Sequence, residues 1–191
     1  MSLIIGNTEP VHIINVKNVA PGANKSFLSL FNDTGSNREF RVIRAIAWNN
    51  QISPSAGGEI EVLYQRIVAQ TGGTSVLIIG ADANNAPQPA QVTAKTDATI
   101  TLDNAGSGNL YFSHSLSTDD TRGIGNSAGT TNVLINLLAN PLNYLAQIGQ
   151  PITLGPSTGL TISQGSETVT AGKISAQIII ASRMIIEGGS P

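Results

Sequence analysis

Glu39-Phe40-Arg41-Val42-Ile43-Arg44-Ala45-Ile46-Ala47-Trp48 is the stretch that decides the class of this chain. One parity reads Phe40, Val42, Arg44, Ile46, Trp48; the other reads Glu39, Arg41, Ile43, Ala45, Ala47. An apolar period of two marks a strand with one face on a core. The same pattern recurs twice. In Glu59–Val68 the apolar parity is Ile60, Val62, Tyr64, Arg66, Val68. In Lys173–Ile180 it is Ile174, Ala176, Ile178, Ile180.

Seven weaker strand candidates flank these three: Val11–Val16, Ser26–Phe31, Thr74–Ile79, Ala98–Leu102, Asn109–Leu116, Asn132–Leu138 and Leu160–Ser163. Gly, Asn, Ser, Thr and Pro clusters separate them, such as Asp33-Thr34-Gly35-Ser36-Asn37 and Gly155-Pro156-Ser157-Thr158-Gly159. Gly and Asn accept positive φ and Pro presets a turn, so these clusters read as turns. Leu142–Ile148 is the sole helical candidate. The expected fold is all-β: an antiparallel two-sheet sandwich, jelly-roll-like, of about ten strands. Residues 1–191 read as one domain with apolar arms at both ends, Ile4-Ile5 and Met184-Ile185-Ile186, and show no repeat and no linker. Such arms must be covered, either inside the sheet or on a neighbouring subunit.

Composition narrows the function. Charged residues make up 12% of the chain, against roughly 25% in an average protein. Apolar residues make up 40% and aromatics only 4%, so the core must be aliphatic. Net charge is −2 and no basic run exists, which argues against a nucleic-acid surface. No segment approaches the ~18 apolar residues of a membrane span, and Met1–Gly6 is too short for a secretory signal. With no cysteine, disulfides and thiolate metal sites are excluded.

Few residues offer chemistry. Asp33-Thr34-Gly35-Ser36 resembles the Asp-Thr-Gly loop of aspartic proteases, and Val76-Leu77-Ile78-Ile79-Gly80 resembles the segment that supports it. Asn32, however, stands where that family has a buried aliphatic residue, and there is one triplet rather than two. The stretch reads instead as a hairpin turn. His12 and His114 lie far apart in sequence, with no carboxylate patterned around either. Asp119, Asp120 and Asn126 lack calcium-loop spacing. Gly57-Gly58 and Gly72-Gly73 lack the Lys-Ser/Thr of a phosphate loop and read as turns. No catalytic, cofactor-binding or metal-binding residue is expected, and no cofactor.

Arg44 and Arg66 each fall on an apolar parity, where a buried guanidinium needs an acid. An exposed strand end, a bulge or an inter-subunit ion pair would accommodate them. Arg41 is expected to reach Glu59 or Glu61 across adjacent strands. The loops Asp82–Ala90 and Ser117–Thr131 are the expected contact regions.

Ser26-Phe27-Leu28-Ser29-Leu30-Phe31-Asn32, a Gly turn, Phe40 through Gln51, and Pro151-Ile152-Thr153-Leu154-Gly155-Pro156-Ser157-Thr158-Gly159-Leu160-Thr161-Ile162 follow in order. This order resembles the β-sandwich structural proteins of tailed bacteriophage particles, in particular capsid decoration (cement) proteins, from about Lys25 to Ile180. The resemblance implies a non-enzymatic, many-copy virion protein. Its partners would be further copies, with a trimer favoured, and a major capsid protein or other virion proteins, without nucleic acid or membrane. A minor capsid or tail protein is the alternative within that class. A carbohydrate- or receptor-binding sandwich is the alternative outside it. That reading wants exposed aromatics, and Trp48 and Tyr64 fall on the expected core parity, leaving Tyr111 and Tyr144.

Overall fold

A computed structural model of the chain describes residues 9–50, 57–81, 91–103, 110–118 and 152–184. The expected strand Asn132–Leu138, the helical candidate Leu142–Ile148, the loop 82–90 and both apolar arms beyond Met184 and before Glu9 lie outside them. Twelve strands are described: β1 (Val11–Val19), β2 (Ser26–Asn32), β3 (Arg38–Asn49), β4 (Glu59–Thr71), β5 (Thr74–Ser75), β6 (Ile78–Gly80), β7 (Val92–Thr96), β8 (Thr99–Leu102), β9 (Leu110–Ser117), β10 (Thr153–Leu154), β11 (Thr158–Gln164) and β12 (Ile174–Met184). They form two antiparallel sheets, β10-β3-β12-β1-β6 and β5-β7-β2-β11-β4-β8, with β9 also beside β4.

Four ladders define the topology. β1 pairs with β12, β2 with β11, β3 with β10 and β4 with β9. The first half of the chain therefore runs antiparallel to the second, and successive pairs alternate between sheets. That is a jelly roll. The strands β5 to β8 are an insertion at its tip, adding β6 to the β1 edge of one sheet and β7 to the β2 edge of the other. The core between the sheets is aliphatic, built on Ile14, Leu28, Leu30, Val62, Leu160, Ile162, Ile178 and Ile180, with Phe27, Phe40 and Tyr64 as its buried rings.

The Asp33–Asn37 and Gly155–Gly159 turns do not make hairpins. Each joins strands of different sheets, because β2 and β3 are not neighbours and neither are β10 and β11. The expected strand Thr74–Ile79 is split in the same way. β5 belongs to one sheet and β6 to the other.

Gly72-Gly73 is not a reversal either. The pairing offset is unchanged across it: Thr71 faces Thr99, and Thr74 faces Thr96. β4 and β5 thus form one run, and β7 and β8 another, bent together at Gly72-Gly73 and Asp97-Ala98. Both glycines and Asp97 have positive φ (60°, 70° and 54°), which supplies the bend. Since β7 pairs with β2, and β8, continuing β7, pairs with β4, the second sheet closes on itself. Gln70 from β4 crosses that closure, accepting from Ser29 Oγ (2.6 Å) and donating to Thr93 Oγ1 (2.7 Å). Ser26 and Thr161 exchange a hydroxyl bond of 3.0 Å beneath it. Polar residues on the sheet's outward parity are therefore buried and bonded rather than solvated.

β3 explains Arg44. In its ladder with β12, Ile180 faces Val42 but Ile179 faces Arg44, so Ile43 is the extra residue of a bulge. The bulge inverts the parity. Ala45 and Ala47 take the core positions with no exposure, while Arg44, Ile46 and Trp48 lie on the outer face, where Ile46 is still buried and the other two are half-buried. Trp48 is thus half-buried on the outer face, not in the core as its parity suggested. Arg66 is not at a strand end: it lies midway along β4 opposite Leu160, is exposed, and pairs with Asp103 at 2.8 Å. Arg41 does not meet Glu59 or Glu61, because β3 and β4 lie in different sheets; it pairs with Glu9 at 3.1 Å.

A Cβ on Gly73 would sit 2.4 Å from the carbonyl oxygen of Thr96 and 2.9 Å from Ala98 backbone, whereas one on Gly72 meets nothing within 4 Å. Gly72→Ala is expected to cost about 1 kcal/mol, the left-handed penalty alone. Gly73→Ala is expected to cost about 3 kcal/mol or more, because backbone must also move. Urea midpoints of the two variants, read against an unchanged m-value, measure the difference.

Candidate functional site

Tyr64 is the side chain on which the two sheets meet. β10 flanks β3 only at Phe40 and Arg41, so among the described residues the amide of Ala47 has no strand on that side. The Ala47 N–H donates instead to Tyr64 Oη at 2.9 Å, from β3 to β4 across the sandwich. Burial pushes the phenol up, against the lowering effect of that amide. Phe112 and His114 of β9 gather around the ring, with centroids at 5.9 and 5.7 Å.

His114 is therefore a packing residue. Phe112, His114 and Leu116 face Tyr64, Val62 and Ile60 across the ladder and share their inward face. Burial lowers the His114 pKa to about 4, and its Nε2 has no hydrogen-bond partner. His12 is buried on β1, opposite Ile180 and Gly80. The two histidines belong to different sheets, so the structure does not bring them together. The Asp33 turn is closed by Ser36 N–H donating to Asp33 O (3.0 Å), and Asp33 N–H donates to Gln91 O (2.9 Å). Thr34 and Ser157 pair their hydroxyls at 3.0 Å. These contacts make it a linker between sheets that is itself tied down. Asp119, Asp120, Asn126 and Tyr144 lie outside the described residues.

Two surface features remain. The first is a cleft of ≈ 560 Å³ beside β4 and β9, lined by Glu59, Glu61, Glu167, Ser113, Ser115 and His114. Among the described residues, no three His, Cys, Asp or Glu side chains lie close enough to hold a metal ion. The second is an apolar row on the outer face of the first sheet. Ile79, Ile13 and Ile179 face one another in register across β6, β1 and β12. Ile79 is 49% exposed and Leu77, just before β6, is 66% exposed; they are the two most exposed large apolar residues described. The row is rimmed by polar contacts: Gln177 Nε2 donates to Asn15 Oδ1 at 2.8 Å on one side, and Arg41 pairs with Glu9 on the other. An apolar centre with a polar rim is the anatomy of a contact surface.

The row was partly readable. Ile179 interrupts the polar parity Lys173, Ser175, Gln177, and nothing in a half-solvated strand requires an isoleucine there. That it continues into Ile13 and Ile79 depends on long-range pairing. Tyr111, one of the two aromatics expected to be exposed, is half-buried beside Arg66 and Asp103. Burial is the main reason its phenol is pushed up.

No family model, curated protein or solved structure matches the chain.

Two outcomes follow from the Tyr64 cluster. Tyr64→Phe leaves the buried Ala47 N–H unpaired and is expected to cost about 1–3 kcal/mol in urea unfolding. Acid acts through His114. Between about pH 6.5 and about pH 4 the unfolded chain binds a proton that the folded chain refuses, so stability falls as pH falls through that window. The loss is up to about 3 kcal/mol. His114→Phe should flatten that part of the stability–pH curve, and an unchanged slope would remove His114 as its cause.

Proposed function

We propose that this chain is a non-enzymatic structural protein of a virus particle, and specifically a decoration protein that binds the outer shell of a tailed-phage capsid and stabilises it. The observation that carries the reading is the rimmed apolar row Ile79–Ile13–Ile179, half-buried at Ile13 and Ile179 and exposed at Ile79, on the edge strand that the roll's insertion adds. A row of this kind is a contact surface in search of a surface. The segment order that resembles phage sandwich proteins supplies the kind of surface. The jelly roll supports the reading only weakly, since viral shells, lectins and cupins all use it. The mechanism is mechanical: a rigid sandwich buries apolar area that two neighbouring shell subunits leave exposed. Further copies of the chain are its other partner, in a ring that a trimer would close.

A carbohydrate-binding reading gains one point from the bulge in β3, which turns Trp48 onto the outer face. Binding on a glycan array that Trp48→Ala abolishes would favour it.

Quantitative mass spectrometry of purified particles tests the main proposal. Copy numbers comparable to the major shell protein are expected for decoration. A handful of copies per particle would indicate a tail or vertex component. Absence from the particle would overturn the virion reading.

A further inference from the structure

The chain has no architectural repeat, but one tetrapeptide occurs twice. Leu77-Ile78-Ile79-Gly80, which holds β6, recurs as Leu3-Ile4-Ile5-Gly6. We propose that the Leu3–Gly6 segment of one copy docks as an added strand on the β6 edge of a neighbouring copy, so that the copies are joined by exchanged arms.

The receiving edge is on the page. β6 pairs with β1 on one side, and no described strand lies on its other side. Apart from its shortness, it has no protective residue of the usual kind: Val76 through Gly80 contains no Lys, no Pro and no charge. An edge of this kind offers unpaired backbone groups to any extended segment, and alternate apolar side chains to its neighbours. The arm matches it. Residues 1–8 carry no charged side chain, and Leu3, Ile4 and Ile5 are apolar on both parities. One parity would continue the Ile79 row, and the other would cover the margin of the core behind Ile78.

Geometry favours a neighbouring copy over the arm's own chain. The arm leaves from Glu9 and Pro10, where Pro10 O accepts from Ser182 N and Val11 O accepts from Ala81 N, at the Gly80 end of β6. β1 runs antiparallel to β6. An arm folding back around that end would therefore lie parallel to β6, on a three-residue strand, with a tight reversal over residues 7–10. From another copy it can approach antiparallel, the slightly more stable pairing. Eight residues reach about 26 Å at ~3.3 Å each, enough to bridge to an adjacent protomer. Donor and acceptor are different surfaces, so the contact is heterologous and closes into a ring if the rotation allows. The inference does not rest on the virion reading.

The absence of cysteine makes the test clean. Ile5→Cys and Ile79→Cys are made in separate full-length chains, with Leu110→Cys, on the other sheet, as a control acceptor. The chains are mixed at micromolar concentration and treated with a short bismaleimide. The expected result is an Ile5→Cys/Ile79→Cys heterodimer, and little product with Leu110→Cys. It should be lost when Gly6→Pro is added to the donor chain. Three results would each overturn the proposal: no cross-link, equal cross-linking to the Leu110→Cys control, or cross-linking only within a doubly substituted chain, which would place the arm in cis.

Discussion

A sheet can close on itself only if its strands turn sharply without losing their partners. The run from Glu59 to Ser75 does this at Gly72-Gly73, keeping its pairing offset with β7 and β8 while the ladder bends, and the chain then crosses to the other sheet between β5 and β6. Most of what distinguishes the molecule depends on that bend. It closes the second sheet over Ser29 and Thr161, brings Gln70 across to hold the closure, and delivers β6 to the far sheet beside β1. Residues lacking a left-handed conformation could not make the bend, and a residue with a Cβ at position 73 could not fit it.

Tyr64 plays the complementary part at the opposite flank. There β3 outruns its neighbour β10, and among the described residues the Ala47 amide has no ladder to join on that side. One phenol oxygen answers that amide, and Asn49 donates to the Ser117 carbonyl at 2.9 Å beside it. The sandwich is thus sealed at one margin by side-chain bonds and extended at the other by an inserted strand. The sealed margin is tied by these two side-chain bonds; the extended one is apolar, with no described strand beyond β6. This asymmetry is why the exposed Leu77 and Ile79 lie where they do.

The sheet class, the long strands and the aliphatic core were legible in the sequence because they rest on local periodicity. Arg44 marked a departure from the pattern, and the bulge at Ile43 accounts for it. The arrangement was harder. β7 contains Lys95 and only two apolar residues, and β10 is two residues long, so neither has a period to read. The Asp33 and Gly155 turns look like hairpin turns in sequence, yet whether such a turn returns to its own sheet or crosses to the other is decided by partners elsewhere in the chain. The apolar row suffers most from this. It is made of one outward residue from each of three strands, and it exists only once Ile13, Ile79 and Ile179 are in register.

The pairing of β1 with β12 has a consequence for how the molecule comes into being. On the ribosome, β1 emerges first and its main partner last, since Val11 must wait for Ala181. Until then, of the described strands of that sheet, β6 alone can pair with it. The second sheet, complete once β11 has emerged, can form earlier and serve as a template. Jelly-roll contacts are long-range, and such topologies fold slowly. Until β12 emerges, the strand that opened the sheet lacks the partner that covers most of its length, so the first-made strand is also the one that waits longest for its place.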